Sequence, residues 1–400
     1  MHRSLAFQSP PSAQSGSAVL AKGFRPFFLL AAAYAAMTMP LWLLVYVGAL
    51  ASPTYLAPMT LHAHEMVFGF GGAVVAGFLL TAVGNWTKRE TATGGALAGL
   101  CALWAAGRVA LLASSVLSPT LVALVDLAFV PALTVAVARP LVAAKNRRNF
   151  VILVVMGALF VANLCVHLDA LGLAPGWQRR GCLLGVDVLV LLMVIIGGRV
   201  IPMFTRNATG VAAVRSVPAL DVVAIVSTAL LLFLDVTLQA GALVAVAAGV
   251  AGLANAVRTT TWGARYAGRE RLLLILHIGY AWIPFGLLLR ASALFTSAVP
   301  SAIATHALTA GAIGSLTLGM MARVALGHTG RPLAASKWLR TAFALVSLSA
   351  VVRVTGPVFF AESVRAAMIL AGALWTAAFT IYGLTFGPIL ISHRVDGRAG

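Results

Sequence analysis

The stretch His62-Ala-His-Glu-Met-Val-Phe-Gly-Phe70 opens an apolar run, near residues 59–85, that is long enough to cross a bilayer. An ionisable group at the bilayer centre costs roughly 2.5–3.5 kcal/mol on insertion scales, so such groups are rarely there without a task. His62, His64 and Glu65 fall within four residues. Two imidazoles beside a carboxylate mark a metal or cofactor site before anything else.

Similar runs recur along the whole chain. Of its 400 residues, 61% are hydrophobic and 10% charged, whereas a soluble domain carries about 25% charge. Apolar spans lie near 25–50, 59–85, 95–113, 119–138, 149–171, 181–204, 218–235, 238–257, 272–291, 300–326, 338–356 and 366–391. The expected fold is an all-α polytopic membrane protein, a single bundle of about 12 transmembrane helices over 23–392, with short tails at 1–22 and 393–400. The first 22 residues have no apolar core, so no cleavable signal peptide is read there. No repeat between the two halves is evident. Small residues at four-residue spacing (Ala73 and Gly77; Ala307, Gly311, Ser315 and Gly319) let helices two and ten approach their neighbours closely.

Loop charge sets the orientation. With the N-terminus inside, the segments on that side collect 21 Lys and Arg, the opposite side six, and Arg199 is left within a helix. The positive-inside rule then places both termini in the cytoplasm. The net charge of +18 does not signal nucleic acid, because the basic residues sit in short clusters between spans, where they meet anionic lipid. The lipid bilayer is the partner this pattern implies. Cys101, Cys165 and Cys182 lie in apolar segments, and nothing resembles Cys-x-x-Cys-His, which excludes covalently attached c-type haem.

Depth follows from helix direction at 1.5 Å per residue. His62, His64 and Glu65 lie within about two turns of the outer surface. His167 and Asp169 end helix five on that side, His306 lies roughly 9 Å down helix ten, and Asp126 and Asp187 stop at a similar level. This outer layer suits haem or copper: neutral imidazole binds both metals, and bis-His ligation of a b-type haem takes one histidine from each of two facing helices. Candidate cofactor-binding residues are His62, His64, His277, His306 and Arg199; candidate metal ligands are His62, His64, His167, His306 and His328. Glu65, Asp126, Asp169 and Asp187 are candidates to orient ligand rings or relay protons. His62 and His64 stand about 200° apart around a helix, so one of them addresses a second partner. His277 and Arg199 lie deeper, roughly 15 Å from His306 along the normal, which implies two sites. His328, in Gly327-His328-Thr329-Gly330, is equally placed to cap carbonyls.

With Phe24-Arg-Pro-Phe-Phe28, Gly77-Phe-Leu-Leu-Thr-Ala82, Asn85-Trp-Thr87, Gly198-Arg-Val-Ile-Pro-Met-Phe-Thr205, His306-Ala-Leu-Thr-Ala-Gly-Ala-Ile-Gly314 and Gly319 to Arg331 added to the His62–Phe70 motif, the chain resembles the NnrS family. That resemblance implies a bacterial inner-membrane protein holding b-type haem and copper, with nitric oxide or iron-nitrosyl species as its partners. There is a looser similarity to the catalytic subunit of haem-copper oxidases, but helix six offers no histidine and helix seven no His-His pair. The competing reading is a secondary transporter, with Glu65, Asp126, Asp187, Arg199 and His277 as proton relay and substrate counter-ions. A broken helix at Gly197-Gly-Arg-Val-Ile-Pro202 is its expected mark.

Overall fold

The computed structural model describes residues 17–238, 241–293, 296, 300–359 and 361–397; the tail expected at 1–22 falls largely outside these. Among the described residues there is no strand, and 12 helices are long and apolar enough to cross a membrane. They are α1 (Phe24–Tyr46), α2 (Pro58–Thr87), α3 (Gly94–Leu112), α4 (Pro119–Ala143), α5 (Arg147–Ala170), α6 (Gln178–Thr209), α7 (Pro218–Leu238), α8 (Ala242–Thr259), α9 (Arg271–Ser292), α10 (Ser301–His328), α11 (Lys337–Phe359) and α12 (Val364–Ile391). The start of α1 and the end of α12 meet on one face, where Arg25 donates to the carbonyls of Leu390 and Ser392 at 3.0 and 2.6 Å. The other side is called the far face below.

No repeat relates the two halves, but one relates three thirds. Gly77, Gly198 and Gly319 are each 121 residues apart, on α2, α6 and α10. The same spacing carries α1 onto α5 and α9, α3 onto α7 and α11, and α4 onto α8 and α12, within a few residues. Packing repeats with it. The first and second helices of each four-helix unit pair, the third and fourth pair, and the first helix of each unit lies on the last of another: α5 on α4, α9 on α8, α1 on α12. The second helices of the units form the centre. In α2, α6 and α10, 83%, 89% and 72% of the most apolar stretch is buried, more than in any other span. Lipid is as apolar as Leu and gives helices no hydrophobic drive to associate, so close packing through small residues must hold such a bundle.

Two of the central helices share a distortion. In α2 a seven-residue π-helical segment, Glu65–Gly71, follows His64 directly; in α10 the segment Ala307–Ile313 follows His306. His64 and His306 each stand six residues after a proline, Pro58 and Pro300, at one depth from the far face. π-turns widen the helix and re-aim side chains, and they recur at functional sites. Equivalent glycines in the two segments admit a ring from the preceding helix. A Cβ on Gly69 would lie 2.8 Å from Tyr34, and one on Gly311 would lie 2.5 Å from Trp282. The Gly311→Leu variant is therefore expected to lose about 1–3 kcal/mol through overpacking. Gly157→Leu, at an exposed glycine with nothing within 4 Å, should unfold thermally with the parent; equal losses in the two would contradict this packing. Helix α6 runs unbroken through Gly197–Pro202, so the break expected of a transporter is not there.

Candidate metal centre

His64 and Glu65 leave the start of the π-segment pointing into the space between α2, α3, α4 and α5. His64 is fully buried. Its Nδ1 lies 2.8 Å from Glu65 Oε1, and its Nε2 lies 2.8 Å from Asn163 Oδ1 and 3.4 Å from Asp126 Oδ2. Asn163 Nδ2 donates to Asp126 Oδ2 at 2.8 Å, which sets the amide so that its oxygen faces the ring. His167 of α5 reaches the same carboxylate oxygen through Nε2 at 2.8 Å. Its Nδ1 accepts from Tyr55 at 2.9 Å; burial pushes that phenol, in the loop before α2, up to about 12, so it keeps its proton at neutral pH. The two imidazoles meet edge to face with centroids 5.5 Å apart.

Arg108 of α3 holds the carboxylates in place. Its Nη1 donates to Glu65 Oε1 at 2.7 Å, its Nη2 pairs closely with Asp126 Oδ1, and Tyr34 of α1 closes on Glu65 Oε2. Trp104 donates to the Gly69 carbonyl at 3.0 Å, tying α3 to the π-segment. Every one of these side chains is buried or nearly so.

Two features of this cluster call for a cation. Both nitrogens of His64 face only acceptors, and a neutral imidazole has one proton to give. Glu65 and Asp126 against Arg108 leave one uncompensated negative charge when both imidazoles are neutral. A buried charge is costly unless paired. One ligand atom each from His64, Asp126 and His167 lies within 4.8 Å of the others, so a metal ion fits there and meets both demands, as a second proton on His64 also does.

The other candidates fall elsewhere. His62 leaves α2 on a different face and stacks on Trp42 of α1, centroids 4.6 Å apart and 15° between planes. His306 is half-buried and uses Nδ1 on the Ala302 carbonyl at 2.6 Å. Arg353 of α11 is an electrostatic neighbour of both rings, and His62 of His306. This second cluster lies between α10, α11, α1 and the start of α2, and its His306 stands two 121-residue spacings from His64. The unit α5–α8 carries Asp187 and Asp235, which Arg290 of α9 reaches at 2.9 and 2.5 Å. His277 and Arg199 lie toward the face bearing the termini, bonded to Thr205 at 2.9 Å and to Asn149 at 2.7 Å. His328 lies 3.4 Å from Asn85 on that same face. Asp169 accepts from the backbone N–H of Trp177 and Gln178, which fixes the loop leading into α6.

Counting loop charge misses three of the residues that matter. The six basic residues of the outer side include Arg108, Arg290 and Arg353, yet each lies inside a helix, and Arg108 and Arg290 are paired with carboxylates. An arginine several residues inside an apolar span is the signal that finds them.

No curated protein matches this chain. A family model described as NnrS protein matches residues 18–394, nearly its whole length, and the chain therefore belongs to the NnrS family.

Proposed function

We propose that this protein holds copper at His64, Asp126 and His167 and a b-type haem beside His62 and His306, and that it takes up nitric oxide or relieves iron-nitrosyl species. The reading places it in a bacterial inner membrane, termini in the cytoplasm, with both clusters toward the periplasm. One observation carries it above the rest: a buried His-Asp-His set whose hydrogen bonds and charge both lack one cation.

Copper stands at the top of the divalent affinity series for nitrogen and oxygen ligands, and imidazole suits it. In the copper site, Glu65 would accept from His64 Nδ1–H, and the Tyr55 oxygen would accept from His167 Nδ1–H once the proton leaves Nε2, so that both Nε2 atoms face the ion. Second partners of this kind fix the tautomer and raise ligand basicity. Arg108 keeps the carboxylates from turning away. At His306, the Nδ1 bond to a backbone carbonyl leaves Nε2 free, so this residue would hold the haem iron. Trp42 holds the His62 ring flat, and Arg353 supplies a guanidinium for an anionic substituent such as a propionate. Bound haem and copper would supply d-electrons able to bind nitric oxide, which side chains lack.

Absorption spectra and metal analysis on one purified sample test this. A Soret band that shifts on reduction is expected, together with copper. His306→Ala should lose the band and keep copper; His167→Ala should do the reverse. Protein with neither metal, purified from cells supplied with both, ends the proposal and favours transport. Iron in place of copper, without a Soret band, would point to a non-haem iron site, since two imidazoles and one carboxylate also suit Fe(II).

A further inference from the structure

The three central helices do not close against one another along their common axis. A cavity of ≈ 80 Å³ lies there, and its lining includes Gly71 and Val75 of α2, Leu192 and Ile196 of α6, and Ile313 and Thr317 of α10. These six form two rings related by the repeat: 71, 192 and 313, then 75, 196 and 317, each 121 residues apart. The cavity is thus built by the symmetry of the fold and is not a local packing fault. No titratable side chain lines it. Its one hydroxyl, on Thr317, already donates to the Gly314 carbonyl at 3.1 Å.

Position gives the cavity its interest. Gly71 lies seven residues past His64 and Ile313 seven past His306, at the inner ends of the two π-segments. The chamber therefore sits roughly 10 Å inward of both histidine clusters, at one depth below each. Water needs two to four polar partners to stay in a cavity, and apolar cavities of this kind remain dry and take apolar guests such as xenon. A haem is excluded for want of an imidazole on the wall. A small apolar gas needs no polar contact and gains dispersion contacts that an empty wall lacks.

We propose that this chamber is a binding site for a small apolar diatomic gas, which it holds beneath both histidine clusters. The identity of that gas as nitric oxide rests on the function proposed above; the capacity to bind an apolar gas does not.

Xenon is the probe that separates the two. The full chain, purified in detergent, is equilibrated with hyperpolarised xenon and read by saturation-transfer NMR. A saturable bound signal is expected, with loss of it in both Val75→Phe and Leu192→Phe, which fill the chamber from different helices. Circular dichroism and gel filtration confirm that each variant is folded, and the two rarely fail together. Absence of a saturable signal in the parent overturns the proposal, as does equal binding in both folded variants. So does a co-purifying acyl chain that keeps xenon out. A second arm measures how fast nitric oxide reaches the reduced, metal-loaded protein. The filled variants should react about tenfold more slowly, and equal rates would overturn the chamber's part in delivery. A parent that never reacts with nitric oxide refutes the functional reading alone, and the xenon result then still decides the chamber.

Discussion

Replacing Arg108 with Met is expected to destabilise the metal-free protein by about 3–5 kcal/mol, the usual cost of breaking a buried ion pair from one side. The guanidinium serves two carboxylates at once, Glu65 at 2.7 Å and Asp126 at still closer range, and both are almost wholly buried. Removing it leaves two negative charges where one remained before, with Tyr34, Asn163 and the two imidazoles as their hydrogen-bonding neighbours. The thermal midpoint of the metal-free variant in detergent should drop sharply. The same change should strengthen cation binding, because the ion then meets a site with two uncompensated charges in place of one. Saturating copper should accordingly recover part of the lost stability through its preference for the folded state. Adding Glu65→Gln to Arg108→Met should also recover part of it, since only one buried carboxylate then lacks its partner. An Arg108→Met protein as stable as the parent, or one that copper destabilises further, would show that the guanidinium does not balance this cluster.

How far such a site can be read in advance depends on which physical signal each residue emits. The spans of α2 and α10 are legible because length and apolarity decide them, and their histidines stand out against apolar neighbours. That His62 and His64 address different partners follows from helix geometry alone: they are two residues apart, and one meets Trp42 while the other meets Asn163 and Asp126. Asn163 and Tyr55 emit no such signal, being polar residues with many ordinary uses, and only packing brings them to His64 and His167. Arg108 is hidden for a different reason. It lies close enough to the far face to be counted as loop charge, so its depth is visible only once α3 is placed against α2 and α4. The π-segments are also invisible beforehand, since their glycines and small residues serve ordinary close packing equally well. The three-unit repeat was in plain view, in Gly77, Gly198 and Gly319. A comparison of halves cannot detect it, because the period is a third of the bundle.

Copper affinity should fall in a graded way when the cluster is taken apart from its centre outward. His167→Ala removes a ligand, and its loss should exceed about 100-fold, the upper end of what second-layer changes cost. Asp126→Asn should cost at least as much, because that carboxylate lies against both imidazoles and Asn163, and its replacement also leaves Arg108 one partner short. Tyr55→Phe should cost about 10-fold: with a metal on Nε2, His167 carries its proton on Nδ1, and the variant takes away the Tyr55 oxygen that would accept from it. Binding should weaken as pH falls in all of these proteins, since protons compete with the metal for the imidazole nitrogens and the carboxylate. Equilibrium titration against a competing chelator across several pH values measures every term in this order. A Tyr55→Phe protein that binds as the parent does, with His167→Ala little worse, would mean that copper sits elsewhere and that the convergence of these rings serves packing alone.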